Sequence, residues 1–97
     1  MKDKEELIGR PALLEQLAEE AVELAKAALK YARILRDENP TPVTKYEAYT
    51  NTIEEYADVI QCARELDINI DEEQIKHKDE RWTCRIEKHR KGKMEDK

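Results

Sequence analysis

The chain has 97 residues, 39% hydrophobic and 42% charged, with a formal net charge of −5. That length holds a single domain, and one copy has a thin core, because small chains bury a smaller share of their surface than large ones. Residues 76–97 carry nine Lys/Arg against five Asp/Glu, so the negative excess sits in residues 1–75, and an acidic body argues against binding a nucleic acid polymer.

The N-terminus, Met1-Lys2-Asp3-Lys4-Glu5-Glu6, lacks the apolar core of a signal peptide. No apolar run approaches the about 20 residues of a membrane span. A cytoplasmic protein with no membrane partner is expected. Cys62 and Cys84 are too far apart for a C-x-x-C redox motif or a zinc pattern, so reduced thiols are expected.

A short leading turn or helix is predicted to end near Gly9. Pro11 suits the first turn of the next helix, where a missing N–H is harmless. That helix is predicted over about Pro11 to Arg36, rich in Ala, Leu, Glu and Lys, with Asn39-Pro40-Thr41-Pro42 closing it and forming a loop. Thr44-Lys45-Tyr46-Glu47 reads as a capping box opening a helix that reaches about Leu66. Asp67-Ile68-Asn69-Ile70 is a short connection. Asp71 caps a last helix to about His89, beyond which Gly92 and the charged tail are expected to fray. The fold class is all-α: an antiparallel bundle of three long helices plus a short N-terminal one. It forms a single domain over 1–97, with its core at about 11–89 and its tail at 90–97, and is completed by oligomerisation.

Two acidic clusters stand out, Glu19-Glu20-Ala21-Val22-Glu23 and Glu54-Glu55-Tyr56-Ala57-Asp58. In each, two acids three residues apart are neighbours on a helix surface: Glu20 with Glu23, and Glu55 with Asp58. At about 100° per residue, Leu13, Leu17, Ala21, Leu24, Ala28 and Leu35 form an apolar stripe with Glu20 on its rim and Glu23 nearer solvent. Tyr49, Ile53, Tyr56, Val59, Ile60, Cys62, Ala63 and Leu66 form a wider arc, with Glu55 inside it and Asp58 at its edge. An acidic pair at this spacing is a solvated face in most helices. A carboxylate inside an apolar arc is different, since burying it unpaired is costly. Four carboxylates converging from two helices repel unless a hard divalent cation neutralises them, and Mg²⁺ fits an all-oxygen set that also meets substrate phosphates.

Glu19-Glu20-x-x-Glu23-Leu24, Asn39-Pro40-Thr41-Pro42, Glu54-Glu55-x-x-Asp58-Val59 and Lys78-x-x-Arg81-Trp82-x-x-Arg85 together resemble the MazG-like all-α nucleoside triphosphate pyrophosphohydrolases, in particular the short single-domain phage and bacterial type. The resemblance covers roughly residues 11–86. It implies a homodimer or homotetramer and Mg²⁺-dependent cleavage of a (d)NTP to (d)NMP and pyrophosphate, with Mn²⁺ as a substitute ion. Carried over by position, Glu20, Glu23, Glu55 and Asp58 become the metal ligands and catalytic acids. Glu19 and Glu54 face other directions. The family often has Lys followed by Asn or Arg after the second acidic motif; here Lys78 and Arg81 stand there. Lys78 and Arg85 flank a stripe of Ile75, Trp82 and Ile86 along one side of the last helix, Arg81 projects further round, and all three are candidate phosphate-binding cations. Asn51, near Glu55 and Asp58 on the wheel, is a candidate sugar or base contact.

Trp82 is expected to anchor the core or a subunit interface, and Tyr46, Tyr49 and Tyr56 to lie mostly in the core. His77 and His89 are expected on the surface. The competing function is a non-enzymatic helical interaction or regulatory module whose acids are ordinary surface charge. A di-iron bundle requires Glu-x-x-His pairs; Glu73 and Glu80 precede His77 and His89 by four and nine residues, which sets it aside.

Overall fold

A computed structural model describes residues 3–38 and 42–95. Four helices follow in order: α1 (Lys4–Ile8), α2 (Arg10–Arg36), α3 (Lys45–Glu65) and α4 (Glu72–Glu95), and the described residues contain no strand. None of these helices is long and apolar enough to cross a membrane.

Each start has a local cause. Asp3 accepts the Glu6 N–H at 2.8 Å, Thr44 Oγ1 the Glu47 N–H at 3.1 Å, and Asp71 the Gln74 N–H at 3.1 Å. These side chains satisfy donors that the first helical turn leaves unpaired. Gly9 joins α1 to α2 at φ 87°, where a side chain would be strained.

Two helix ends share a device that the sequence reading missed. Asp37 and Asp67 both adopt left-handed backbone, at φ 58° and 56°. Around each, the next two N–H groups turn back to carbonyls of the last turn: Asp37 to Ile34 and Glu38 to Arg33, then Asp67 to Arg64 and Ile68 to Ala63. This is the Schellman arrangement, with Asp where Gly is usual. So α2 ends at Arg36, before the proline-rich segment expected to close it. Asn39, Pro40 and Thr41 lie outside the described residues.

α2 and α3 form an antiparallel hairpin. The start of α2 meets the end of α3, where the Arg10 guanidinium donates to the Leu66 carbonyl at 3.1 Å and Lys4 pairs with Glu65 at 3.0 Å. The far end of α2 meets the start of α3, where the Tyr31 and Tyr49 rings approach edge-on with centroids 6.1 Å apart. Leu13, Ala27, Ala48, Cys62 and Leu66 are the buried apolar core between them.

Three expectations need correction. Tyr46, Tyr49 and Tyr56 are exposed by 75%, 49% and 45%, so they are not core in a single copy. The wide apolar arc of α3 splits into two faces: Ala48, Cys62 and Leu66 are buried in the hairpin core, while Tyr49, Ile53 and Tyr56 stay about half exposed at its edge, where Tyr49 meets Tyr31 of α2. One neighbouring helix covers only part of such an arc. Second, α4 runs unbroken through Gly92 to Glu95, well past His89.

Third, α4 does not close a three-helix bundle within the chain. Among the described residues its packing on α2 and α3 is negligible, and Trp82 is 65% exposed. The radius of gyration is 18.4 Å, against about 12.5 Å for a compact domain of this length.

Candidate functional site

Glu20 projects from the middle of α2 and Glu55 and Asp58 from the middle of α3. One carboxylate oxygen from each lies within 4.8 Å of the other two. Glu20 and Glu55 are half-buried at the edge of the hairpin seam, and Asp58 is exposed. The antiparallel pairing causes the meeting: two helices crossing side by side bring their midpoints together, and each cluster sits near its helix midpoint.

The electrostatics are those of crowded anions. Glu55 has its pKa raised above the ordinary 4.5, first by partial burial and then by Asp58, Glu20, Glu23 and Glu54. Behind the cluster, burial raises the Cys62 thiol, and Glu20, Asp58 and Glu65 push it the same way. The Gln16 side-chain amide donates to Glu20 at 2.8 Å, steadying that carboxylate from one turn away.

Glu23 is the exception among the four acids. It is exposed and reaches Lys26 at 3.4 Å, outside the three-carboxylate cluster. Its charge still acts on Glu55.

The cations expected on the last helix are placed elsewhere. Lys78, Arg81 and Arg85 are exposed on α4, and no described salt bridge or hydrogen bond ties them to the hairpin. Asn51 is exposed and lines a hollow of about 390 Å³ together with Lys30, Glu47, Ala48 and Glu54. Lys30 is thus, beside the Glu23 partner Lys26, a cation of the hairpin that the sequence reading did not single out. The available signal was its position seven residues after Glu23, two turns along the same helix face.

The donor set is all oxygen, anionic and supplied by two rigid elements. It fits a hard divalent cation: the 4.8 Å bound is close to the about 4.2 Å between two oxygens on opposite sides of one Mg²⁺. Glu20, Glu55 and Asp58 would hold such an ion, with Glu23 at the margin. No protein-family model, curated protein or solved structure matches the chain.

Proposed function

We propose that the chain is a Mg²⁺-dependent nucleoside triphosphate pyrophosphohydrolase, cleaving a (d)NTP to (d)NMP and pyrophosphate, and that it works as a homodimer or homotetramer. The observation that carries this reading is the convergence of Glu20, Glu55 and Asp58 from two helices, with Glu55 held above its ordinary pKa. Surface acids that repel in the empty chain and meet on rigid supports are arranged for a cation, which stabilises only the native state. The resemblance of both acidic motifs, their order and the basic segment after them to the MazG-like family adds the reaction class.

In this reading the bound metal supplies charge neutralisation at the phosphates and a lowered pKa for attacking water. The chain's own groups do the rest. Glu20, Glu55 and Asp58 fix the position of the charge, and Gln16 orients Glu20. Glu23, free of the inner cluster and accessible to solvent, is the acid best placed to accept a proton from water near the ligands. Lys30 and Asn51, side by side in one hollow, bind the substrate on the hairpin. Lys78, Arg81 and Arg85 act as phosphate cations when α4 approaches an acidic cluster.

The test is pyrophosphate release from a panel of canonical and modified (d)NTPs with Mg²⁺ or Mn²⁺. Release that disappears in Glu20→Gln and Glu55→Gln supports the reading. A folded, metal-supplied chain that releases none from any triphosphate defeats it. The second reading, a non-enzymatic interaction module, is favoured by the extended α4 with Ile75, Trp82 and Ile86 uncovered. It requires Glu55→Gln to leave the chain's response to Mg²⁺ unchanged.

A further inference from the structure

The charges of α4 are sorted by side. At about 100° per residue, Lys78, Arg81, Arg85 and Lys88 fall within a sector about 80° wide, in steps of three, four and three residues. The acids Glu72, Glu73, Asp79, Glu80 and Glu87 lie outside it. None of these four cations has an acid three or four residues away, the spacing at which helix side chains meet. Lys76 is the opposite case, with Glu72 and Glu80 four residues to either side. The four in line are exposed, and among the described residues no salt bridge involves α4. They form a row of like charges about 15 Å long, which repel one another along the helix. Arg81, Arg85 and Lys88 also border a shallow hollow of about 410 Å³, with Glu80 at its rim.

Trp82 stands at the edge of this row, four residues from Lys78 and three from Arg85, and it is 65% exposed. A row of cations with an accessible aromatic ring beside it is suited to a single nucleic acid strand. The cations follow the phosphates, and the ring stacks on a base. Steps of three and four residues advance about 4.5–6 Å along the helix axis, so an extended strand meets the cations in turn.

The charge balance of the whole chain argues against such a partner, but the acidic excess belongs to the rest of the chain. α4 itself carries eight Lys/Arg against six Asp/Glu. It packs negligibly on α2 and α3, and surface charges more than a Debye length of about 8 Å apart are largely screened. An anionic membrane surface fits less well. Asp79 borders the Ile75, Trp82 and Ile86 stripe on the side away from the cations and would be driven against the headgroups. We propose that α4 is a docking helix for single-stranded nucleic acid, with Lys78, Arg81, Arg85 and Lys88 on successive phosphates and Trp82 stacked on a base. This goes beyond the hydrolase reading and does not rest on it: Trp82 and Lys88 have no part in that reaction, and the strand is held without metal.

Trp82 is the only tryptophan of the chain, so its fluorescence reads the contact directly. The full chain in EDTA is titrated with a deoxythymidylate oligomer longer than the about 4–16 nucleotides of common single-strand sites. Saturable quenching is expected, with affinity falling about 50-fold between about 50 and 200 mM salt, the loss that four phosphate contacts to a single strand imply. Lys88→Gln is expected to flatten the log–log salt slope by about 0.7, the share of one contact, and Lys76→Gln to leave it unchanged. Both positions are exposed and Gln forms helix about as well as Lys, so circular dichroism is expected to be unaltered. Trp82→Leu, followed by anisotropy of a labelled oligomer, is expected to weaken binding at least about fivefold while keeping the slope. Glu55→Gln is expected to bind as the wild type does, so strand binding and hydrolysis stand or fall separately. Absence of quenching at low salt overturns the proposal. So does equally tight binding of polyglutamate or of phosphatidylserine vesicles, or a Lys76→Gln variant weakened as much as Lys88→Gln.

Discussion

Glu20 on α2 and Glu55 on α3 present carboxylate oxygens within 4.8 Å of each other across the hairpin seam. Both are half-buried, and Glu20 is also held by Gln16. The pair is unfavourable in the empty chain and becomes favourable only when positive charge enters between the two groups.

The metal-free chain should therefore be strained by its own site. Glu55→Gln removes a charge from the cluster without changing its shape. In EDTA near neutral pH the variant is expected to melt above the wild type. On adding Mg²⁺ the wild type gains melting temperature and the variant loses most of that gain. Paired thermal-shift titrations check both signs, and a wild type more stable than the variant in EDTA contradicts the electrostatic account.

The same crowding sets a pH dependence. A carboxyl group whose pKa rises on folding holds its proton more tightly in the native state. From the ordinary 4.5 up to the raised native value, the native chain binds more protons than the unfolded one, so stability falls as pH rises through that window. Asp71 runs the other way: Gln74 lowers its pKa below the ordinary 3.8, and that contribution is lost as pH falls through the lowered value. Metal-free melting temperature is thus expected to fall as pH rises above 4.5 through the raised Glu55 value and to fall again as pH drops below 3.8 through the lowered Asp71 value, with Mg²⁺ flattening the first decline.

Gln16 and Lys30 separate positioning from binding. Gln16→Ala frees Glu20 and is expected to lower metal affinity about 10-fold, in the lower part of the range for groups that orient ligands. Isothermal titration with Mn²⁺ measures this directly. Lys30→Ala is expected to raise KM for the triphosphate about 10-fold with little change in kcat, the pattern of uniform binding lost. An unchanged KM removes Lys30 from the substrate site.

The left-handed aspartates offer a gain in stability. Asp67→Gly keeps the helix end and removes the steric cost of a side chain at φ 56°, about 1–2 kcal/mol, and with glycine's entropic cost of about 0.5–1 kcal/mol set against it is expected to add about 0.5–1 kcal/mol. For a chain of this size that corresponds to roughly 3–6 °C in Tm. A lower melting temperature shows that the Asp67 side chain contributes more than the backbone costs.

Among the described residues Leu66 is the one large side chain with no exposure, at the connection between the hairpin and α4. Leu66→Ala is expected to cost about 2–5 kcal/mol, a large share of the stability of a domain this small. Urea unfolding followed by circular dichroism checks it. A loss below about 1 kcal/mol means the end of α3 collapses around the smaller residue.

Local signals in the chain were enough for most helix boundaries. Thr44 and Asp71 announce their helices because capping depends on residues three positions apart, and Gly9 with Pro11 marks the first junction for equally local reasons. Asp37 and Asp67 escaped notice, since left-handed aspartate is uncommon and composition does not single it out. The pairing of Glu55 with Asp58 was also legible, because helical geometry alone places residues three apart together, whereas Glu23, at the same spacing from Glu20, stays outside the cluster.

Which of those acids face each other was decided between helices, where a rotation of a few tens of degrees separates Glu20, at the seam, from Glu23, at its margin. The wide apolar arc of α3 was plain from the residues. Its division into a face buried against α2 and a face left exposed was not, because one neighbouring helix can cover only part of it. The separation of α4 has a similar origin: its stripe is three large apolar residues among many charges, too weak a local pattern to say what it packs against. Sequence periodicity determined what each helix carries on each side, and tertiary packing decided which sides meet, since burial is a property of pairs of surfaces.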